Sequence, residues 1–315
     1  MISLSRQGQA GSTHVRCVLL AVASVVAWAA PAMAQSNGAA SGGFTGAAAT
    51  AAQETTDPNP GAITLSASVD LMSRYMFRGI RQLSTGIAIW PAADLALTAY
   101  SGHGALKSVG INLGSWNSLH TGDTGAAGPS AKFWYEGDFY TTFGLGFGGG
   151  VSLATTYTAY TSPNNSFSTV KELMVKVAVD DVPHLHRAAL KPYVIVAREL
   201  DTAPGLGQAD GGIAAGTYLE VGIAPAYASR KVSLAVPVKV GVSLGNYYEL
   251  EGTDHTFGYL SVGGIMTVPL GTPAKLGSWN LHSGAELQRL GVATRALNGG
   301  DRSQVIGSIA IGFSY

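Results

Sequence analysis

Three groupings of residues in this chain have types and spacings that chemistry uses. Gly241-Val242-Ser243-Leu244-Gly245 matches the G-x-S-x-G pattern, in which a serine on a sharp turn attacks an acyl carbon, and Asp254, His255 and His282 follow it. That nucleophile needs a strand-to-helix turn, whereas Ser243 falls inside an alternating apolar run, so a strand interior is the expected setting. Gly144-Leu145-Gly146-Phe147-Gly148-Gly149 matches G-x-G-x-x-G. No helix-like period follows it to offer an N-terminus to a pyrophosphate, and a glycine-rich hairpin is expected instead. His184 and His186 could hold a metal ion only weakly without a third ligand, and read as turn residues. No catalytic residue, metal or cofactor is therefore expected.

A fourth grouping is spread along the chain. Asp70, Arg74 and Arg78 share one parity, as do Glu136 and Asp138, then Glu172, Lys176 and Asp180. Glu220, Lys239, His282, Glu286 and Arg302 continue the set on the less apolar faces of later segments. Turned toward a common interior, such groups would form salt-bridged clusters and a polar path for solutes, with Arg74 and Arg78 at its external end. The alternative is a plugged, rigid interior in which these groups only satisfy one another.

The elements that must carry these residues are strands. From Ile63 onward the pattern repeats with period two, the mark of an element with two different faces. Ile63, Leu65, Ala67, Val69 and Leu71 oppose Thr64, Ser66, Ser68, Asp70 and Met72. Leu173, Val175, Val177 and Val179 oppose Glu172, Met174, Lys176, Ala178 and Asp180. About twelve segments are expected, at 63–77, 86–99, 107–118, 132–143, 147–159, 169–180, 189–200, 215–227, 232–246, 255–269, 277–289 and 302–315. In 86–99 and 189–200 both faces carry apolar residues, which weakens the pattern there. Links at 119–131, 160–168, 201–214 and 290–301 are rich in Gly, Asp, Asn, Thr and Pro, and alternate with tighter turns such as Gly144–Gly146 and Ser229–Lys231.

An even number of antiparallel strands with long loops at one end and short turns at the other is the rule of bacterial outer-membrane barrels. Hydrocarbon leaves no partner for an open sheet edge, so such a sheet must close. Aromatics near many segment ends (Tyr75, Phe77, Trp116, Phe133, Tyr135, Tyr157, Tyr160, Tyr227, Phe257, Phe313 and Tyr315) are expected in interfacial girdles. The fold class is thus an all-β, transmembrane, antiparallel up-and-down β-barrel over 62–315.

Composition agrees. Only 12% of the 315 residues are charged, against 46% hydrophobic, and 42 are glycine. That charged share is about half the soluble average, so a water-facing polar surface does not account for the chain. The balance of 19 basic and 19 acidic residues excludes a strongly basic nucleic-acid binder.

Residues 1–34 read as a signal peptide. Arg6, His14 and Arg16 precede the apolar run Cys17–Ala30, and Ala32-Met33-Ala34 supplies an A-x-A cleavage pattern before Gln35. Cleavage would remove Cys17, the sole cysteine, together with Arg6 and Arg16, leaving 17 basic against 19 acidic groups. Residues 35–61, rich in Ala, Gly, Ser and Thr and reaching Asp57-Pro58-Asn59-Pro60, read as a flexible periplasmic linker.

Two stretches resemble the TorF-type porin family of proteobacteria. Ser73-Arg74-Tyr75-Met76-Phe77-Arg78-Gly79-Ile80-Arg81-Gln82 is similar to that family's opening Y-x-F-R-G-I-x-Q signature, and Gly114-Ser115-Trp116-Asn117-Ser118 to its G-x-W-x-S segment on the third strand. Ile311-Gly312-Phe313-Ser314-Tyr315 looks like the aromatic-ended signal read by the barrel-insertion machinery. The resemblance implies a β-barrel and a pore, and supplies no substrate. The expected function is passive movement of small hydrophilic solutes or ions across the bacterial outer membrane. The expected partners are outer-membrane lipid and lipopolysaccharide, the insertion machinery through Phe313 and Tyr315, and small solutes, with no nucleic acid. A lipid-acting hydrolase, a surface adhesin or receptor barrel, and a soluble exported β-sandwich are the competing classes.

Overall fold

The computed structural model describes residues 61–122, 133–200, 209–212 and 214–315. The signal peptide and nearly all of the linker assigned above lie outside the described residues, as do 123–131 and most of 201–214 among the predicted loops.

Twelve antiparallel strands form one closed sheet. They are β1 (Ile63–Met72), β2 (Ala88–Ser101), β3 (Leu106–His120), β4 (Trp134–Phe147), β5 (Val151–Thr161) and β6 (Val170–Val179). Then come β7 (Tyr193–Glu199), β8 (Thr217–Ile223), β9 (Val238–Gly245), β10 (Phe257–Leu270), β11 (Ser278–Leu290) and β12 (Ser303–Ser314). Ala226–Ala228 prolongs β8 and Ser233–Ala235 precedes β9; the interruptions fall at Pro225 and Pro237, which have no N–H to give a ladder. Each strand pairs with its sequence neighbours, and β1 closes on β12 from Ser66 opposite Ser314 to Met72 opposite Ser308. Closure leaves no edge strand, which is what a sheet in hydrocarbon requires.

The period-two pattern sets which way each residue faces. Phe139 and Val305 on the outside are each 63% exposed, as the outward Leu, Val and Ile rows of the other strands are also exposed. Asp70 and Glu172 on the inside are each 1% exposed. A water-soluble domain would bury the first set and expose the second, so this is an inside-out arrangement suited to an apolar surround.

The two ends differ. The chain enters at Ile63 and leaves at Ser314 on one end, which also carries the short turns Gly148–Gly150 and Ser229–Val232. The opposite end carries 73–87, 162–169, 246–256 and 291–302, against a single long connection, 180–192, at the terminal end. The first of these does not extend away from the barrel. Strand β1 stops at Met72, five residues short of the expected 77, and the chain turns inward as a small hairpin, Tyr75–Phe77 paired with Ile80–Leu83.

That hairpin corrects the girdle assignment. Tyr75, Phe77, Trp116, Tyr135 and Tyr160 are buried inside the barrel mouth, each 6% exposed or less. Tyr157, Tyr227, Phe257 and Tyr315 do face outward. Tyr75 meets Trp90, Trp116, His120 and Tyr135 edge-on with ring centroids 5.1–6.3 Å apart. Such pairs add about 0.5–1.5 kcal/mol each beyond their area, so the hairpin carries its own aromatic core.

Candidate functional site

The site is the inside of the barrel, and its loop end is filled. The turn of the hairpin is Arg78-Gly79, between paired Phe77 and Ile80, and both residues have positive φ (47° and 82°). Two central residues at positive φ match the twist of tight hairpins. Glycine serves at 79 for a second reason: a Cβ there would lie 3.1 Å from the Tyr259 ring.

Arg78 is 2% exposed. Its Nη1 and Nη2 donate to Glu172 Oε2 and Oε1 at 2.5 and 2.8 Å, and Nη1 also donates to the Tyr247 hydroxyl at 2.8 Å. The guanidinium carbon stands 4.3 Å from the centroid of Tyr218, 5.0 Å from Phe77 and 5.4 Å from Tyr247. Tyr160 donates to Glu172 Oε1 at 3.1 Å. A planar fork against a carboxylate, faced by aromatic rings, is the strongest ordinary setting for a guanidinium.

Other contacts pin the same hairpin. Tyr248 donates its hydroxyl to the Arg78 carbonyl at 2.9 Å, and Asn298, after the short helix Val292–Leu297, donates Nδ2 to the Gly79 carbonyl at 2.8 Å. Tyr135 donates to Gln82 Oε1, and Arg81 reaches Asp301 at 3.2 Å on the surface. Three connections thus converge in the mouth.

The buried ionisable groups there are unequal in number. Glu136, Asp138, Glu172 and Glu199 are all 4% exposed or less, while Arg78 is the only arginine or lysine in the fully buried set among the described residues. Glu199 is occupied by the backbone N–H groups of Ala209 and Gly216, both at 2.7 Å. Asp138 Oδ1 is buried with no hydrogen-bond partner.

Beyond the mouth, inward groups on the terminal side are partly exposed, among them Asp94, Tyr140, Lys176 and Lys239. At mid-barrel Glu220 accepts from Tyr193, Tyr218 and Tyr259 at 2.8, 2.6 and 2.8 Å. Lys176 and Lys239 lie over the rings of Tyr193 and Tyr259, at 5.0 and 6.0 Å, and neither forms an ion pair among the described residues. Asp94 accepts from Tyr140 at 2.6 Å and Asn112 at 3.1 Å. Glu286 accepts from Ser261 and, at 2.9 Å, from Gln288.

The sequence-derived set is therefore distributed as follows. Asp70, Glu136, Asp138, Glu172, Lys176, Glu220, Lys239, His282 and Glu286 sit on the inward face. Arg78 reaches the interior from the hairpin and not from β1 as expected, and Arg74 is half-buried just past the end of that strand. Asp180 and Arg302 depart from the expectation: both are exposed, in the connections after β6 and before β12, because those strands stop at Val179 and start at Ser303. Salt-bridged clusters do not form either. The inward ion pair among the described residues is Arg78–Glu172, His282 and Asp70 share a hydrogen bond, and hydroxyls satisfy much of the rest.

The enzyme-like patterns receive local explanations. Gly241 has no side chain because the Tyr259 ring occupies that space; a Cβ would lie 2.3 Å from it. Ser243 is inward-facing, donates to Asp254 Oδ1 at 2.6 Å and accepts from the N–H groups of Gly245 and Tyr247 at 3.1 and 3.0 Å, which shapes the 246–256 connection. Gly148–Gly150 is the turn between β4 and β5. His184 and His186 are exposed, and no group of three metal-ligating side chains occurs among the described residues.

Sequence reasoning missed Glu199, Tyr247 and Tyr248, and the buried Ser118–His120 pair (Oγ to Nε2 2.8 Å) whose serine also accepts from Trp90 Nε1 at 2.9 Å. The parity of Tyr193, Ile195, Ala197 and Glu199 was the available signal for the first; the tyrosines lie in a connection, where parity says nothing.

A membrane-type β-barrel with a hairpin and two further connections packed together in its mouth is the class that this fold and site define. No family model matches the chain, and no curated protein matches it. Among solved structures the chain is similar to the translocator domain of the autotransporter NalP from Neisseria meningitidis (13% identity, 81% of this chain and 89% of that one, TM-score 0.41). It is also similar to the NanC porin (9%, 79% and 98%, 0.42) and to the outer membrane phospholipase A from Escherichia coli (10%, 82% and 94%, 0.41).

Proposed function

We propose that the chain is an outer-membrane channel through which small hydrophilic solutes or ions pass without chemical change, closed at its loop end by the 75–83 hairpin. One observation carries this reading: the sheet closes with its apolar rows outward and its charged and hydroxyl groups inward. An interior of hydrated or hydrogen-bonded polar groups inside an apolar wall is what a solute path across hydrocarbon needs. Twelve strands lie between the roughly eight whose interior side chains fill and the sixteen or so that leave an open channel. At that width inward loops decide whether the path is open.

The reading places the long connections outside the cell and the termini in the periplasm, after export and removal of residues 1–34. It assigns no catalytic residue. The TorF-type resemblance agrees with it, since most of the first signature, Tyr75 to Gln82, forms the hairpin. The final strand, with Phe313 and outward-facing Tyr315, suits recognition by the insertion machinery.

Reconstitution of purified protein into planar bilayers tests the proposal. Stepwise currents are expected, with ion selectivity altered when Arg74 and Arg78 are both neutralised to Gln. Silence at every voltage, from the wild type and from variants with a loosened hairpin, contradicts it.

A further inference from the structure

The position of Arg78 has a chemical meaning beyond closure. Its guanidinium occupies a cage made by other parts of the chain: Glu172 on β6, Tyr160 on β5, Tyr218 on β8 and Tyr247 in the 246–256 connection. These four side chains are each 3% exposed or less. They offer a two-point carboxylate, a hydroxyl acceptor and aromatic faces, the set that selects a planar guanidinium over a round ammonium.

The occupant is not part of the wall. Arg78 arrives on the turn of a short hairpin, in a left-handed backbone conformation that a non-glycine residue adopts at a cost. Withdrawing it alone would leave Glu172 charged, buried and unpaired, which is strongly unfavourable. A solute carrying the same head group removes that obstacle by taking over the same contacts.

We propose that the Glu172 cage is a binding site for guanidinium-bearing solutes, occupied by the chain's own Arg78 in the closed barrel and available to a competing solute when the hairpin moves. The site assigns a solute class to the channel reading and rests on it for its physiological meaning, while the binding chemistry stands on the cage alone.

Methylguanidinium chloride is the probe and methylammonium chloride, at equal ionic strength, its control. In detergent micelles, the thermal midpoint of full-length Arg78→Ala should rise by several degrees with methylguanidinium and not with methylammonium. Adding Glu172→Gln should abolish the rise. Should Arg78→Ala fail to refold to a heat-modifiable barrel, Arg78→Gln keeps the side-chain length without the charge. In bilayers, methylguanidinium should raise the open probability of the wild type more than methylammonium does.

Selective stabilisation without any current would support the cage and overturn the channel. Current with equal responses to both cations, and no selective stabilisation, would leave the channel and overturn the cage. A selective response that survives Glu172→Gln would also overturn the cage.

Discussion

Arg78 and Glu172 are 94 positions apart and meet through two nearly parallel hydrogen bonds of 2.5 and 2.8 Å, in a setting where neither side chain reaches water. Removing one partner strands the other as a buried charge, at a cost of about 3–5 kcal/mol, whereas replacing both by neutral groups of similar size costs far less. Arg78→Met and Glu172→Gln should each lower stability by that order. The double variant should be less destabilised than the sum of the two, and urea unfolding of the four proteins in detergent measures the coupling.

Asp70 Oδ1 lies 3.2 Å from His282 Nε2 across the backbone of Ala310, which pairs with both residues. The contact therefore spans β12 and ties β1 to β11 at the seam where the barrel closes. Asp70→Ala leaves a buried imidazole short of a partner and should cost about 1–3 kcal/mol. The expected readout is an earlier thermal transition in gel mobility, with conductance steps of unchanged size; an unchanged transition would show that the seam does not depend on this pair.

Gly79 combines a positive φ of 82° with close packing on Tyr259. Gly79→Ala adds backbone strain of about 1–2 kcal/mol and presses the new methyl on the ring. Longer or more frequent openings are expected in single-channel records. Closure as tight as in the wild type would place the gate elsewhere.

At the terminal end, Asp181 accepts from the Leu190 N–H at 3.0 Å and the Lys191 N–H at 2.9 Å, and these donors, Leu190 first, hold its carboxyl below the usual carboxylate value. A depressed folded value means that the contribution is present above the ordinary range, near about pH 4, and is lost as pH falls through the folded value. Protection of the Leu190 and Lys191 amides, measured against their intrinsic exchange rates at each pH, should thus be high at neutral pH and lost only in strong acid. In Asp181→Ala it should be low at every pH.

The strands were legible because a sheet with one face in hydrocarbon writes its geometry into every second residue. Even 86–99 and 189–200, apolar on both faces, correspond to β2 and β7, since neighbouring turns confine them. The mouth was not legible. Tyr75, Phe77, Trp116, Tyr135 and Tyr160 stand near segment ends, where a girdle and an inward plug look alike in sequence, and only contacts between distant segments distinguish the two. Parity carried β1 five residues too far, to 77, because the hairpin Tyr75–Phe77 is itself extended. For the same reason it assigned Arg78 to the strand while giving no sign that Glu172 holds it.

Odd and even residues of β3 should meet lipid and interior respectively. Single cysteines carrying a fluorophore at Ile111, Asn112 and Leu113 of β3, in a background with Cys17 absent, report on this directly in vesicles of brominated lipid. Strong quenching is expected at 111 and 113 and little at 112. Uniform quenching, or stronger quenching at 112, would contradict this facing.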